Sequence, residues 1–272
     1  MLKQRLITAL LLVPFILGGI WFLPTQWLSG IVALVMVLAA WEWLGIVGFH
    51  SDRKKVLGLV VITAVTGLIS LFPERVFFLL ILGIWSAILL IVIRYAHRPL
   101  APFIHVLISK PLSALVQASL VLALFFHATL WLHALTAQLL LHVVVLVWLA
   151  DTGGYFAGKR WGRHALATMI SPNKTWEGIL GALVLCLAWS GVTYMLFFQG
   201  VFPFETWMML ALVTTLISVV GDLFESLFKR CHGVKDSGNL LPGHGGILDR
   251  IDSLIAAIPV FAASLYFLEY SV

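Results

Sequence analysis

Charged residues are scarce in this sequence, and many of them gather in one stretch. Between Ser226 and Asp252 (SLFKRCHGVKDSGNLLPGHGGILDRID) the cations Lys229, Arg230, Lys235 and Arg250 stand among Asp236, Asp249 and Asp252. Gly233, Gly238, Gly243, Gly245, Gly246 and Pro242 interrupt regular structure in the middle of it. Glycine permits left-handed backbone and lets main-chain N–H groups come close to a ligand. Cations on such a backbone suit a phosphate, and spaced aspartates suit a hard cation such as Mg²⁺, which bridges carboxylates and substrate phosphates. A solvated loop carrying orienting positive charge is the plainer reading, but orientation requires neither the carboxylates nor the glycines. Cys231, His232 and His244 raise zinc, yet no second pair of ligands accompanies them.

Three other segments carry polar chemistry. Asp151 closes an apolar run and is followed by TGGYFAGKRWGRH; an acid at the rim of a membrane span is costly to desolvate and is a functional candidate by default. Gly154, Gly158 and Gly162 recur every four residues, a spacing that lets helices approach closely. Gly153 to Lys159 also spells GxxxxGK, but Arg160 stands where a phosphate loop needs Ser or Thr, and an apolar span rather than a strand precedes it. In Ser171-Pro172-Asn173-Lys174-Thr175-Trp176-Glu177-Gly178, Ser then Pro reads as a helix cap and first turn. Such an N-terminus would offer N–H groups and Lys174 to an anion. Further on, Asp222, Glu225, Ser226 and Lys229 share a face if the helix continues, and Asp249 and Asp252 share another.

The elements that must position these residues are membrane spans. The 272 residues are 61% hydrophobic and 11% charged, with a mean hydropathy of +1.06; a soluble domain is about 25% charged. Apolar runs near twenty residues cross the hydrocarbon core as helices. Nine candidates are visible, at about 6–23, 27–48, 56–72, 76–93, 111–132, 138–157, 179–198, 205–224 and 251–268. The first is too long for a signal peptide and lacks a small-residue cleavage site, so it reads as a retained span. With a cytoplasmic N-terminus, every Lys and Arg except Arg75 falls on the cytoplasmic side. The basic balance is thus assigned to topology rather than to nucleic acid, and the spans bring Asp151, Asp222 and Asp249 to one membrane side. The expected fold is an all-α polytopic membrane protein with about nine transmembrane helices and a cytoplasm-facing polar site in the C-terminal half. Its segments are 1–110 (helices one to four and a basic linker), 111–178 (helices five and six and a loop) and 179–272 (helices seven to nine with the polar stretch). Glu42, in Ala-Trp-Glu-Trp, reads as a packing or interface residue, and His127, His133 and His142 as hydrogen-bonded packing residues.

The stretch from Ser226 to Asp252 resembles the signature of the phosphatidate cytidylyltransferase (CDP-diacylglycerol synthase) family, bacterial type: S-x-x-K-R, four residues, K-D, then H-G-G-x-x-D-R-x-D. Ser226, Lys229, Arg230, Lys235, Asp236, His244, Gly245, Gly246, Asp249, Arg250 and Asp252 occupy those positions. The segments around Asp151 and Lys174, and Ala-Trp-Glu-Trp, are also similar to family motifs, while the first 140 residues resemble the family only loosely. The resemblance implies CTP and phosphatidate as substrates, CDP-diacylglycerol and pyrophosphate as products, and Mg²⁺ as cofactor, with K⁺ or a second Mg²⁺ beside it. It implies Asp222 and Asp249 as metal ligands. Lys229, Arg230, Lys235 and Arg250 would hold the triphosphate, with Asp236, Asp252 and His244 in supporting catalytic places. Asp151, Ser171, Asn173, Lys174, Ser226, Gly245 and Gly246 would bind substrate. It further implies a homodimer in a bacterial inner membrane, with lipid as the surrounding partner. A membrane kinase passing the CTP γ-phosphoryl to a lipid alcohol is the near rival, which the full histidine-glycine-glycine motif disfavours. A transporter is the distant one, which would place its acids near mid-span.

Overall fold

The computed structural model describes residues 2–238 and 245–269. Eleven helices follow in order: α1 (Leu2–Phe22), α2 (Thr25–Ile46), α3 (Asp52–Ile69), α4 (Glu74–Tyr95), α5 (Pro102–Ser109), α6 (Pro111–Leu135), α7 (Ala137–Trp161), α8 (Trp176–Thr193), α9 (Phe204–Cys231), α10 (Leu248–Ile251) and α11 (Leu254–Glu269). A single π-helical turn, Tyr194–Phe198, continues α8. The antiparallel strands β1 (Ala165–Ala167) and β2 (Ser171–Thr175) lie between α7 and α8.

Seven helical stretches among the described residues are long and apolar enough to cross a membrane: α2, α4, α6, α7, α8 with its π turn, α9, and Leu248–Leu268. Helices occupy all nine expected positions. The difference lies in α1, whose apolar stretch Leu12–Phe22 is shorter, and in α3, which opens on Asp52, Arg53, Lys54 and Lys55. The chain is an all-α polytopic membrane protein. Its helices are two-faced in the manner lipid demands: in α4, Ile81, Trp85, Ile88 and Val92 are buried while Leu79, Leu90 and Ile93 are exposed. Helices satisfy their own backbone hydrogen bonds, so apolar side chains can face hydrocarbon directly.

The described helices divide into two compact units, each made of three stretches of the chain. The first comprises Met1–Phe72, Pro102–Leu141 and Phe228–Ile251. In it α2, α3 and α6 pack together, with α5 on α6 and α10 on α2. Buried polar side chains cross-link them: His127 Nε2 lies 2.8 Å from the Thr66 carbonyl, and His133 bridges the Ile20 carbonyl at 2.9 Å and Thr25 Oγ1 at 2.9 Å. These histidines are interhelical ties, as expected of lone imidazoles in apolar spans.

The second unit comprises Pro73–Ala101, His142–Leu227 and Asp252–Val272. In it α4 packs on α11, where Phe78 stacks on Tyr266 with centroids 4.4 Å apart. Leu146 and Ala150 of α7, Ala182 and Cys186 of α8 and Ala211 of α9 form a shared core. His142 Nδ1 meets Thr193 Oγ1 at 3.0 Å beneath the ring of Trp207. The close contact of α7 with α8 rests on glycine: a Cβ at Gly153 would come 2.5 Å from the Gly181 carbonyl oxygen, and one at Gly181 would strike the Ala157 methyl.

Two local expectations are corrected. Ser171 to Thr175 is strand β2, not a first helical turn, and the helix is capped instead by Thr175, whose hydroxyl accepts the Gly178 N–H at 3.1 Å. The strand wins because Glu177 closes the turn from α7: its Oε2 accepts the Arg163 and His164 N–H groups, and Oε1 lies 2.6 Å from His164 Nδ1. The Trp176 N–H meanwhile donates to the His164 carbonyl. Asp249 and Asp252 do not share one helix either, since the helix breaks at Asp252–Ser253 between α10 and α11.

The α7–α8 contact yields a graded test. Gly153→Val should cost roughly 1–3 kcal/mol through overpacking against backbone and lower the thermal midpoint in detergent. Gly191→Ala in α8, where a Cβ meets nothing within 4 Å, should leave the midpoint unchanged or raise it. Equal midpoints for the two variants would mean the helices do not pack through Gly153.

Candidate functional site

Each unit carries a lysine–aspartate pair. In the first unit, Lys229 on the last turns of α9 reaches Asp249 of α10, Nζ to Oδ1, at 2.7 Å. Both side chains are 12% exposed, so the pair is largely shielded from water. Asp249 accepts more than the ammonium. The Ser237 N–H donates to its Oδ2 at 3.1 Å and the Gly246 N–H at 2.9 Å. An acid that reaches back three residues to a backbone N–H at a helix start is one half of a capping box.

The other half of that cap is supplied from a different helix. Gly246 has no side chain to cap α10, and the Ile247 and Leu248 N–H groups donate instead to Glu42 of α2, at 3.0 and 2.9 Å. Ser237 Oγ donates to Glu42 Oε2 at 2.9 Å. Glu42 is 4% exposed. A Cβ at Gly246 would collide with Ser237 Oγ and the Glu42 carboxylate, which is the physical reason for glycine there. Gly245 beside it takes φ 78°, the left-handed region that favours glycine. Glu42 in turn sits below Trp43, whose ring meets Phe228 of α9 at 4.7 Å.

In the second unit, β2 delivers Lys174 to Asp222 of α9, Nζ to Oδ2, at 2.5 Å, with both side chains about a quarter exposed. Ser226 Oγ, one turn on, donates to Asp222 Oδ1 at 3.3 Å. Gly221 lets α9 lie directly on the break before α11: a Cβ there would come 2.6 Å from the Asp252 carbonyl oxygen. Asp252 accepts the Ser253 N–H at 2.6 Å and lies within electrostatic range of Asp222, Glu225, Asp151 and Lys174. Asp252 thus feels three other carboxyl groups and one ammonium, ligand types that suit a hard cation. Among the described residues no three Asp, Glu, His or Cys side chains converge on one coordination point. The chain would therefore supply only part of a coordination shell, as is usual for Mg²⁺, which takes the remainder from substrate phosphates and water.

The remaining expected residues are distributed plainly. Arg230, Lys235, Asp236 and Arg250 are exposed at the surface of the first unit, and Asp151 and Asn173 at that of the second; Ser171 is half-buried in β2. His244 lies outside the described residues. The residue that spacing arguments undervalued is Glu42. Its signal was present, a lone carboxylate between two tryptophans in an apolar run, but the loop it binds follows it by some two hundred positions, and no local periodicity joins them.

Comparison with known proteins agrees over nearly the whole length. The family described as the cytidylyltransferase family matches residues 3–268. A phosphatidate cytidylyltransferase of Pseudomonas aeruginosa is 37% identical over 279 residues, covering 98% of this chain and 97% of the relative. One from Haemophilus influenzae is 34% identical over 297 residues, covering 98% and 99%. One from Staphylococcus haemolyticus is 50% identical over 124 residues, 44% of this chain and 46% of the relative. An apolar helical chain that carries paired lysines and aspartates on its signature segments, and matches from end to end, is an enzyme of the cytidylyltransferase family.

Proposed function

We propose that this enzyme is a phosphatidate cytidylyltransferase of phospholipid biosynthesis: it transfers CMP from CTP to phosphatidate, giving CDP-diacylglycerol and pyrophosphate, with metal assistance. The observation that carries the reading is the pair of lysine–carboxylate contacts: Lys229–Asp249, both in the segment that resembles the family signature, and Lys174–Asp222, whose lysine lies in a second segment similar to a family motif. The names of the full-length bacterial relatives support the substrates.

The reaction forms a bond between a phosphatidate phosphate oxygen and the CTP α-phosphorus and breaks the bond to the β-bridging oxygen, whose electrons leave with pyrophosphate. The nucleophile is an anion already, so no protein nucleophile is needed. Two anions must instead be brought together, and positioning with charge neutralisation supplies most of the rate. Asp222 and Asp249 would hold Mg²⁺, with K⁺ or a second Mg²⁺ as a further cation. A metal ion held by these carboxylates would supply neutralisation of phosphate charge and polarisation of the phosphorus–oxygen bonds. Lys174 and Lys229 would serve phosphate oxygens, and the exposed Arg230, Lys235 and Arg250 would hold the triphosphate and the departing pyrophosphate. Ser226 orients the Asp222 carboxylate. Asp151, Asp252, Asp236 and His244 take supporting places, and Ser171, Asn173, Gly245 and Gly246 contribute to substrate binding. The proposal includes a homodimer in a bacterial inner membrane, with N-terminus and site on the cytoplasmic side. The near-complete segregation of Lys and Arg supports that orientation.

Two experiments test this reading. Purified protein in micelles should move α-phosphorus label from CTP into the phosphatidate fraction and release γ-label as pyrophosphate. Transfer of γ-label to a supplied lipid alcohol would establish a kinase, and movement of neither label by folded protein would leave transport as the better account. Asp222→Asn and Asp249→Asn should each lower kcat/KM by on the order of 100-fold, the scale of one lost preorganised charge contact, and raise the Mg²⁺ concentration needed for half-maximal rate. An unchanged Mg²⁺ titration in either variant would remove that residue from the metal.

A further inference from the structure

Glu42 lies on α2, within the Ala-Trp-Glu-Trp segment, and its carboxylate is heavily engaged. It takes hydrogen bonds from Ser237 Oγ, Ile247 N and Leu248 N. These three donors stand on both sides of the glycine-rich part of the signature segment: Ser237 precedes it, and Ile247 and Leu248 follow it at the start of α10. Asp249 clasps the same two strands of chain, through the Ser237 and Gly246 N–H groups. Ser237 therefore gives its hydroxyl to Glu42 and its backbone N–H to Asp249, so the two carboxylates are joined through one residue.

We propose that Glu42 is a positioning residue for the transfer reaction: by pinning the two ends of that glycine-rich stretch to α2, it holds the Lys229–Asp249 pair in the place where metal and triphosphate are engaged. The proposal rests on the functional reading above. Its physical basis is the lack of any substitute. Gly246 provides no cap for α10, and the half-buried Ile247 and buried Leu248 N–H groups would lose their acceptor if the carboxylate were removed; unmade buried hydrogen bonds are costly. Asp249 and Lys229 depend on it through Ser237 and the start of α10, and a displacement of about 1 Å at a reacting group costs on the order of 100-fold in rate.

The test uses full-length protein in detergent, with Glu42→Gln and Glu42→Ala beside Glu74→Gln, an exposed acid on α4, as control. Hydrogen exchange read by mass spectrometry should show the peptide covering 245–251 exchanging at least about tenfold faster in Glu42→Ala, as expected when two amides lose their acceptor, while peptides from α6 stay protected. Glu42→Gln, which keeps an oxygen acceptor but loses the charge, should remain folded, lower kcat by roughly 10- to 100-fold and shift half-saturation by Mg²⁺ upward. A residue with a merely structural role would lower the thermal midpoint and leave the Mg²⁺ dependence of the folded enzyme unmoved. Unchanged exchange at 245–251 in Glu42→Ala would overturn the pin. Faster local exchange with unaltered kcat and Mg²⁺ half-saturation would overturn the positioning role. If wild-type protein moves no α-label, the functional reading fails instead, and the exchange data with equilibrium Mg²⁺ binding by calorimetry still decide whether Glu42 holds Asp249 in a metal-competent place.

Discussion

A carboxylate inside an apolar helix bundle must be met by donors, and the polar half of this protein is arranged around that demand. Glu42 and Asp249 sit where water is largely excluded and Asp222 is about a quarter exposed, and each is answered differently. Glu42 is met by backbone N–H groups and a hydroxyl, Asp249 by an ammonium and two backbone N–H groups, and Asp222 by an ammonium and a hydroxyl. Leaving such a charge unanswered costs far more than any single contact gains. The consequences reach into local structure. The glycine at 246 exists because the carboxylate and Ser237 occupy the space a side chain would take, and α10 begins where Glu42 and Asp249 can together cap it.

The lysine partners add a second consequence. A buried ion pair contributes little net stability, because desolvation offsets most of the attraction, but it costs roughly 3–5 kcal/mol to remove one member alone. Such pairs persist for specificity or function more readily than for stability. Lys174 stands in an exposed hairpin whose geometry is fixed by Glu177 and Thr175, so its ammonium is delivered to Asp222 by a short strand rather than by a helix terminus. A strand leaves the side chain freer to exchange one anion for another than a packed helical position would.

How much of this was legible in the sequence follows from what kind of interaction each feature rests on. Most of the spans were legible because a long apolar run has one stable form in lipid: helices stand at all nine expected positions, and seven stretches among the described residues are long and apolar enough to cross a membrane. Lys174, Asp222, Lys229 and Asp249 were legible as charged residues at the ends of apolar runs, where burial needs a reason. The pairing between them was not, since Lys229 and Asp249 stand twenty residues apart and no periodicity links them. Ser171-Pro172 was misread as a helix start because its local cap chemistry is sound; Glu177, six residues on, overrides it by holding the Arg163 and His164 N–H groups. The break at Asp252–Ser253 was invisible for a related reason: it depends on the backbone of α9 lying against it at Gly221. Glu42 is the clearest case. Its acceptors' partners lie some two hundred residues away, so only the folded chain reveals its load.

In the proposed reaction these features acquire a common logic. A site that must receive a triphosphate, a lipid phosphate and a divalent cation cannot stand fully charged in a membrane protein before they arrive. Pairing each expected metal ligand with a lysine keeps each pair near neutrality, while retaining both charges needed afterwards: the carboxylate for the metal and the ammonium for the phosphate. Binding then exchanges partners rather than creating charge, which keeps the desolvation cost of the empty state small and spends no reorganisation on new ionisation. Such an exchange needs carboxylates whose backbone is firmly held. Asp249, clasped by the Ser237 and Gly246 N–H groups and braced through Ser237 to Glu42, meets that requirement.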